Sequence, residues 1–246
     1  MESAIFALTS RYGLSRAELI AEIESAFGLL LSRLRQQEVM VHLQDGMRLE
    51  VIAYGKRNGL PVQQVFELPA LLSQKDCSAF LEKRLALAAV VKQTRLYKTC
   101  TRSLIWGSVL RSTPGCDLLI ETEIHSGEPV IAVCPLNRIG VHERMSARFQ
   151  NGQRRTFHLR LVDPVLVNGT ARTKVVLDRV SKTLTENLLR HYLGGAASCY
   201  QLRCLKRYVG HKSIVLSTRR LPREVIKAVD RELQERVEVR IVTALP

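Results

Sequence analysis

SLIWGSVLRSTPGCDLLIETEIHSGEPVIAVCPLNRIGVHERMSARFQNGQRRTFHLRLVDPVLVNGTARTKVVLD, residues 103–178, alternates short apolar runs with turn-forming pairs. The runs are Leu104–Arg111, Cys116–Ile124, Val130–Pro135, Thr156–Val162 and Lys174–Asp178. The turns are Pro114-Gly115, Ser126-Gly127, Asn151-Gly152 and Asn168-Gly169. Runs of this length, rich in Val, Ile and Leu and punctuated by Gly pairs, read as strands. Five of them in one segment predict a small antiparallel barrel.

The chain changes texture on both sides of that segment. Downstream, Thr183-Leu184-Thr185-Glu186 reads as a capping box. It opens a short helix that stops at Gly194-Gly195. Two strand-like runs follow, Tyr200–Tyr208 and Ser213–Thr218. Pro222 then stands at a helix N1 position, and Val225, Ile226, Val229 and Leu233 mark one face of a helix to about Gln234. Val237–Val242 closes an α-β-β-α-β order. Upstream, Ser15-Arg16-Ala17-Glu18 is a capping box flanked by Leu14 and Leu19. A helical period runs from Leu19 to Leu34, predicting a helix over 16–35. Val39–Leu43 and Arg48–Tyr54 read as a hairpin about Asp45-Gly46. A connection punctuated by Gly55, Gly59 and Pro61 leads to a long helix over 74–99.

Charge divides the chain more sharply than hydropathy does. Residues 1–74 hold seven Lys/Arg against eight Asp/Glu, whereas residues 75–246 hold 30 against 15. A polyanionic partner for the second part is the simplest reason to tolerate that self-repulsion. A hydrophobic content of 46% supports a real core, and an aromatic content of 5% limits the number of base-stacking platforms. No apolar run approaches the roughly 20 residues of a membrane helix. Residues 1–13 lack a basic leader and carry Glu2, so a cytoplasmic protein with no membrane partner is expected. The six cysteines form no Cys-x-x-Cys and the six histidines no metal-binding pair, which predicts reduced thiols and no metal. No nucleophile elbow, phosphate loop or dinucleotide fingerprint is present, so no enzyme and no cofactor is expected.

The order helix, hairpin, long helix, five-stranded barrel, basic α/β module resembles the N-terminal part of the NusA family of bacterial transcription elongation factors. The best local match runs from Gly13 through Ala26, with Leu14-Ser15-Arg16 at the helix start and Ile23-Glu24-Ser25-Ala26 at its centre. Gln36-Gln37-Glu38 then leads into the hairpin. The stretch from Gly107-Ser108-Val109 to Val175–Arg179 is similar to the family's OB domain, which ends in an arginine and a small hydroxyl residue, here Arg179 and Ser181. The resemblance implies an α+β multidomain protein. Its parts are an N-terminal domain over 1–102 that docks on RNA polymerase near the RNA exit channel, an OB-type barrel over 103–180 and a KH-like α-β-β-α-β module over 181–246. Nascent RNA and other elongation factors are further implied partners, and the implied activity is control of elongation, pausing or antitermination. Two departures bear on mechanism. No Gly-x-x-Gly backbone clamp occurs between Tyr200 and Pro246. Only one KH-like stretch is present, which points to a specialised variant serving a mobile element or one set of operons.

Three groups of residues follow as candidates. The C-terminal basic cluster, Arg203, Lys206, Arg207, Lys212, Arg219, Arg220 and Arg223, suits an RNA backbone, with Tyr200 or Tyr208 available to stack. Across residues 179–246 Lys/Arg outnumber Asp/Glu by 14 to 6. The barrel offers Arg111, Arg144, Arg148, Arg154, Arg155 and Arg160, with Phe149, Phe157 and His158 nearby. The helix over 16–35 offers Arg16, Glu22 and Arg33 to a polymerase. Two rival readings stay open: a stand-alone RNA-binding regulator or ribosome-associated protein, and a conjugation or phage DNA-binding protein.

Overall fold

The computed structural model describes every residue except 1, 45–47, 55–60, 112–115, 126, 145–148 and 245–246. The expected turns or connections at Asp45-Gly46, Gly55, Gly59, Pro114-Gly115 and Ser126 lie outside the described residues. Among those described, seven α-helices and three sheets give an α+β protein. The chain divides into two compact units. One holds residues 1–93 and 164–173, the other residues 94–163 and 174–246. Of the ranges read from sequence, 103–180 and 181–246 therefore fall largely in one unit.

The first unit contains α1 (Glu2–Tyr12), α2 (Arg16–Arg35), β1 (Val39–Gln44), β2 (Arg48–Tyr54), β3 (Pro61–Glu67), α3 (Leu68–Leu72) and α4 (Lys75–Thr99) as far as residue 93. α2 begins where the capping box places it: Ser15 Oγ accepts from Glu18 N at 3.3 Å, and Glu18 Oε2 accepts from Ser15 N at 2.7 Å. Lys92 Nζ donates to the same carboxylate at 2.7 Å. That hydrogen bond, with the cap, holds the Glu18 carboxyl at about 2. Leu19, Ile23 and Phe27 of α2 pack on Val41, Leu49 and Val51 of the sheet and on Leu81 and Leu85 of α4. Three elements were not foreseen, the short α3 among them. α1 contributes Ile5, Leu8 and Tyr12 to the edge of this core. β3 pairs antiparallel with β2 as the far strand of the order β1-β2-β3, where a connection was expected.

The second unit opens with the end of α4 from residue 94, followed by β4 (Leu104–Arg111), β5 (Leu118–Glu123) and β6 (Pro129–Cys134). A short helix α5 (Val141–Arg144) leads to β7 (Arg154–Val167) and β8 (Thr170–Asp178), of which residues 164–173 belong to the first unit. These five strands close in the order β4-β5-β6-β8-β7. The fourth strand thus returns beside the first, the Greek-key arrangement. β6 and β8 meet in parallel at Val133 and Val176. Gly107 permits the closest approach in the ring, since a Cβ there would lie 2.3 Å from Ile120. Asn168-Gly169 turns β7 into β8 with φ of 51° and 75°, the left-handed pair that a tight hairpin demands.

The rest of the unit is α6 (Lys182–Leu193), β9 (Leu202–Tyr208), β10 (Lys212–Ser217), α7 (Arg223–Leu233) and β11 (Arg236–Ile241), with the sheet ordered β11-β10-β9. β10 runs antiparallel to β9 and parallel to β11. Two caps differ from the sequence reading. Ser181, not Thr183, caps α6 and accepts from Thr183 N at 3.2 Å. Pro222 is the residue before α7 rather than its first member, and no side chain caps that helix.

The barrel and the α-β-β-α-β module have separate apolar cores. Leu104 of β4 packs against the module's core, and a buried polar cluster joins the two as well. Arg179, just after β8 and 1% exposed, spends all five N–H donors. Nε reaches both oxygens of Glu143 in α5 at 3.1 Å, and Nη2 meets Glu143 Oε1 at 2.5 Å. Nη1 donates to the Thr156 carbonyl at 2.6 Å and to Glu232 Oε1 at 3.1 Å, while Nη2 donates to the Glu232 carbonyl at 3.0 Å. The Phe149 and Phe157 rings flank the guanidinium at 5.2 and 5.7 Å. Burial disfavours the charge, but Glu143 and Glu232 more than offset it and push the Arg179 pKa up. Burial likewise pushes Glu232 up, and Arg179 with Thr156 brings it below the usual carboxylate range.

Arg179→Met leaves two buried carboxylates uncompensated and should cost about 3–5 kcal/mol in denaturant unfolding. Arg179→Lys should not rescue it, because an ammonium cannot span the same five acceptors. Glu232 is depressed in the folded state, so its contribution is present above its unfolded value of about 4.3 and is lost as pH falls through the folded value. Unfolding followed between pH 6 and pH 2.5 should show stability falling steeply below about pH 4.

Candidate nucleic-acid interface

One face of the C-terminal sheet gathers the exposed cations. In strand register, Arg203 and Arg240 flank Leu216, Lys206 and Glu238 flank Ile214, and Tyr208 and Arg236 flank Lys212. Residues opposite one another share a face, so these nine lie on one side of the sheet. The other side carries Val215 and Val237 into the core beneath α6 and α7. The face thus holds five cations against one carboxylate. Glu238 takes part of that charge, at 3.6 Å from Lys212 and 3.1 Å from Arg240. Lys206 Nζ stands 4.8 Å from the centre of the exposed Tyr208 ring.

Arg207 departs from the sequence expectation. It is buried, 1% exposed at the side chain, and paired with Glu235 at 2.9 Å through both Nε and Nη2. Its Nη1 donates to the Ser181 carbonyl at 2.7 Å. Glu235 also accepts from Gly210 N and Ser213 Oγ. Burial raises the Glu235 carboxyl, and these bonds, Arg207 first, bring it below the usual range. The cause is a bulge. Ile214 pairs with Lys206 but Val215 pairs with Cys204, so Leu205 is the extra residue. The insertion shifts the alternation by one, turning Lys206 and Tyr208 outward and Arg207 inward.

Arg219, Arg220 and Arg223 are exposed in the β10–α7 turn and at the start of α7. On the barrel, Arg154 is exposed and its guanidinium lies 5.9 Å from the Trp106 ring. Arg155 is half-buried and donates to Gln153 Oε1 at 3.1 Å. Arg160 pairs with the buried Asp178 at 3.4 Å, and Arg144 donates to the Ile139 carbonyl at 3.3 Å. Arg111 ends β4, its side chain outside the description, and Arg148 lies outside the described residues. Phe149, Phe157 and His158 are buried, so none of them offers a stacking surface. In the first unit Arg16 and Arg33 are exposed, and Glu22 pairs with Arg84 at 3.6 Å.

Sequence reasoning missed Trp106, the chain's only tryptophan, half-buried beside Arg154 and with its ring centre 5.7 Å from that of His191. Burial pushes the Cys134 thiol up and the Cys204 thiol up to about 11, which leaves both protonated at neutral pH. Among the described residues no group of three His, Cys, Asp or Glu is placed to hold a metal ion, and no helix is long and apolar enough to cross a membrane. No protein-family model and no curated protein matches this sequence.

The bulge separates structural from surface arginines in a measurable way. Arg207→Gln should destabilise the protein by about 3–5 kcal/mol in urea unfolding. Arg203→Gln should stay within about 0.5 kcal/mol of the parent.

Proposed function

We propose that this chain is a NusA-like transcription factor that binds RNA polymerase and the emerging RNA and so modulates elongation, pausing or antitermination in the cytoplasm. The observation that carries the RNA half is the sheet face on which Arg203, Lys206, Lys212, Arg236 and Arg240 surround a single carboxylate, Glu238. Such a face recognises a phosphate backbone by charge and shape and needs no Gly-x-x-Gly clamp. The ring order β4-β5-β6-β8-β7 supports reading the barrel as an OB fold, and the α6-β9-β10-α7-β11 order supports a KH-like module. The near-neutral N-terminal region suits a protein partner, with Arg16, Glu22 and Arg33 as its proposed contacts. In mechanism, docking on polymerase brings the basic unit to the transcript, and holding the transcript constrains its path to a pause hairpin or terminator.

A stand-alone RNA-binding regulator is the second reading. The Glu22–Arg84 pair favours it, because it gives one proposed polymerase contact a role inside its own unit.

Full-length tagged protein, after nuclease treatment, should retain bacterial RNA polymerase, and Arg16→Glu/Arg33→Glu should reduce retention with RNA affinity unchanged. Arg203→Glu/Lys206→Glu should do the reverse. It should also lower the log–log salt slope for single-stranded RNA by about 1.4, at about 0.7 per phosphate contact. RNA binding with no polymerase retained would leave the stand-alone regulator.

A further inference from the structure

A pocket of about 560 Å³ opens where the turn between α4 and β4 meets α6. Its volume lies within the range of small-ligand sites, about 300–1,000 Å³. Arg102, Trp106, Asn187, Arg190 and His191 line it, and among the described residues no Asp or Glu does. A groove of about 620 Å³ across β4 and β5 shares Leu104 and Trp106 with it and is lined further along by Glu121, Glu123 and Arg154.

Three observations point to one kind of occupant. The first is the aromatic wall. The Trp106 and His191 ring centres are 5.7 Å apart, with the planes tilted by 56°. Such rings offer a face to a flat heterocycle. The second is backbone strain at Arg102, which has φ of +70°. Glycine adopts that conformation freely and arginine does not. It is held there by Asn187 Nδ2, which donates to the Arg102 carbonyl at 2.6 Å, and by its own N–H on the Leu159 carbonyl at 2.9 Å. Its exposed guanidinium makes no hydrogen bond or ion pair to the described residues. An arginine held in that conformation with its guanidinium uncommitted is a candidate for a side-chain role. The third is the polar lining. The hydroxyls of Thr99, Thr101 and Ser103 donate back to the carbonyls of Leu96, Lys98 and Cys100. With their protons so committed, these hydroxyl oxygens have only acceptor capacity left, which suits an exocyclic amine or a sugar hydroxyl. Arg190 is oriented by Asn187 Oδ1 and the Leu202 carbonyl, each at 3.2 Å, and Glu186 at 3.9 Å takes part of its charge. This leaves Arg102 as the principal cation for a phosphate.

We propose that this pocket takes one nucleotide of single-stranded RNA, its base against Trp106 and His191 and its phosphate against Arg102. The inference rests on the RNA-binding reading of this unit and adds to it the place where a base is held, apart from the charged sheet face.

Because Trp106 is the only tryptophan, its fluorescence reports this pocket directly. Full-length protein is titrated with fluorescein-labelled U12 RNA and with an abasic ribose-phosphate chain of the same length, following both anisotropy and tryptophan emission. U12 should quench Trp106 as it binds, and the abasic chain should bind without that quenching. Arg102→Gly should keep or raise the melting temperature while weakening U12 about tenfold, and Trp106→Leu should weaken it by a similar factor. U12 binding with unchanged emission, equal quenching by the abasic chain, or full affinity in Arg102→Gly would each overturn the pocket assignment and leave RNA binding intact. Absence of any anisotropy change at low salt would overturn the RNA-binding reading itself.

Discussion

The Arg179 guanidinium fixes the architecture of the larger unit. A full positive charge at 1% exposure is tolerable only if anions and carbonyls meet it from several directions. Here they come from α5, β7 and α7, so three separate segments of chain must converge on the end of β8. Two apolar cores, bridged on the apolar side by Leu104 of β4, are thereby held in one relative placement. Hydrophobic burial alone tolerates small rotations between packed modules. A guanidinium with all five donors engaged does not, because each shift leaves a buried group unpaired.

A second buried ion pair sets what the unit presents to its surroundings. Arg207 and Glu235 satisfy Ser213 Oγ, Gly210 N and the Ser181 carbonyl in one cluster. The Leu205 bulge that turns Arg207 inward also turns Lys206 and Tyr208 outward. The basic face therefore depends on the insertion of one residue in β9. Arg179 then holds that face in a fixed relation to the barrel, where Arg154, Trp106 and Arg102 stand. On the proposed RNA-binding reading, a rigid mount of this kind lowers the ordering cost of holding a flexible strand.

Much of the fold was legible in the chain. The barrel strands follow from short Val- and Ile-rich runs broken by Gly pairs, and α2 follows from its capping box and helical period. α1 escaped because, among its described side chains, Ile5, Leu8 and Tyr12 meet the core while Phe6 stands exposed, which weakens its period. β3 escaped because Val62 and Val65 are both exposed on a strand at the sheet's edge, so no alternation survives. The candidate site was legible in composition but not in detail. A run such as Arg203-Cys204-Leu205-Lys206-Arg207 does not reveal a bulge, so a buried arginine and an exposed lysine look alike. Arg179 and Ser181 stood out only as a pattern. Their physical roles, a five-donor tie and a helix cap, depend on partners about 36 and 53 residues away for Arg179 and two residues away for Ser181. Trp106 gave no signal because His191 and Arg154 reach it from distant segments.

Native-state hydrogen exchange on the full-length protein tests the central claim, that barrel and C-terminal module form one cooperative body. The amides to compare are those of Phe157 and Leu159 in β7 with those of Val215 and Leu216 in β10. Both sets should open with the same free energy, the global one, at neutral pH. Two sets differing by more than about 1 kcal/mol would mean that the modules unfold separately, and the role assigned to Arg179 would be contradicted.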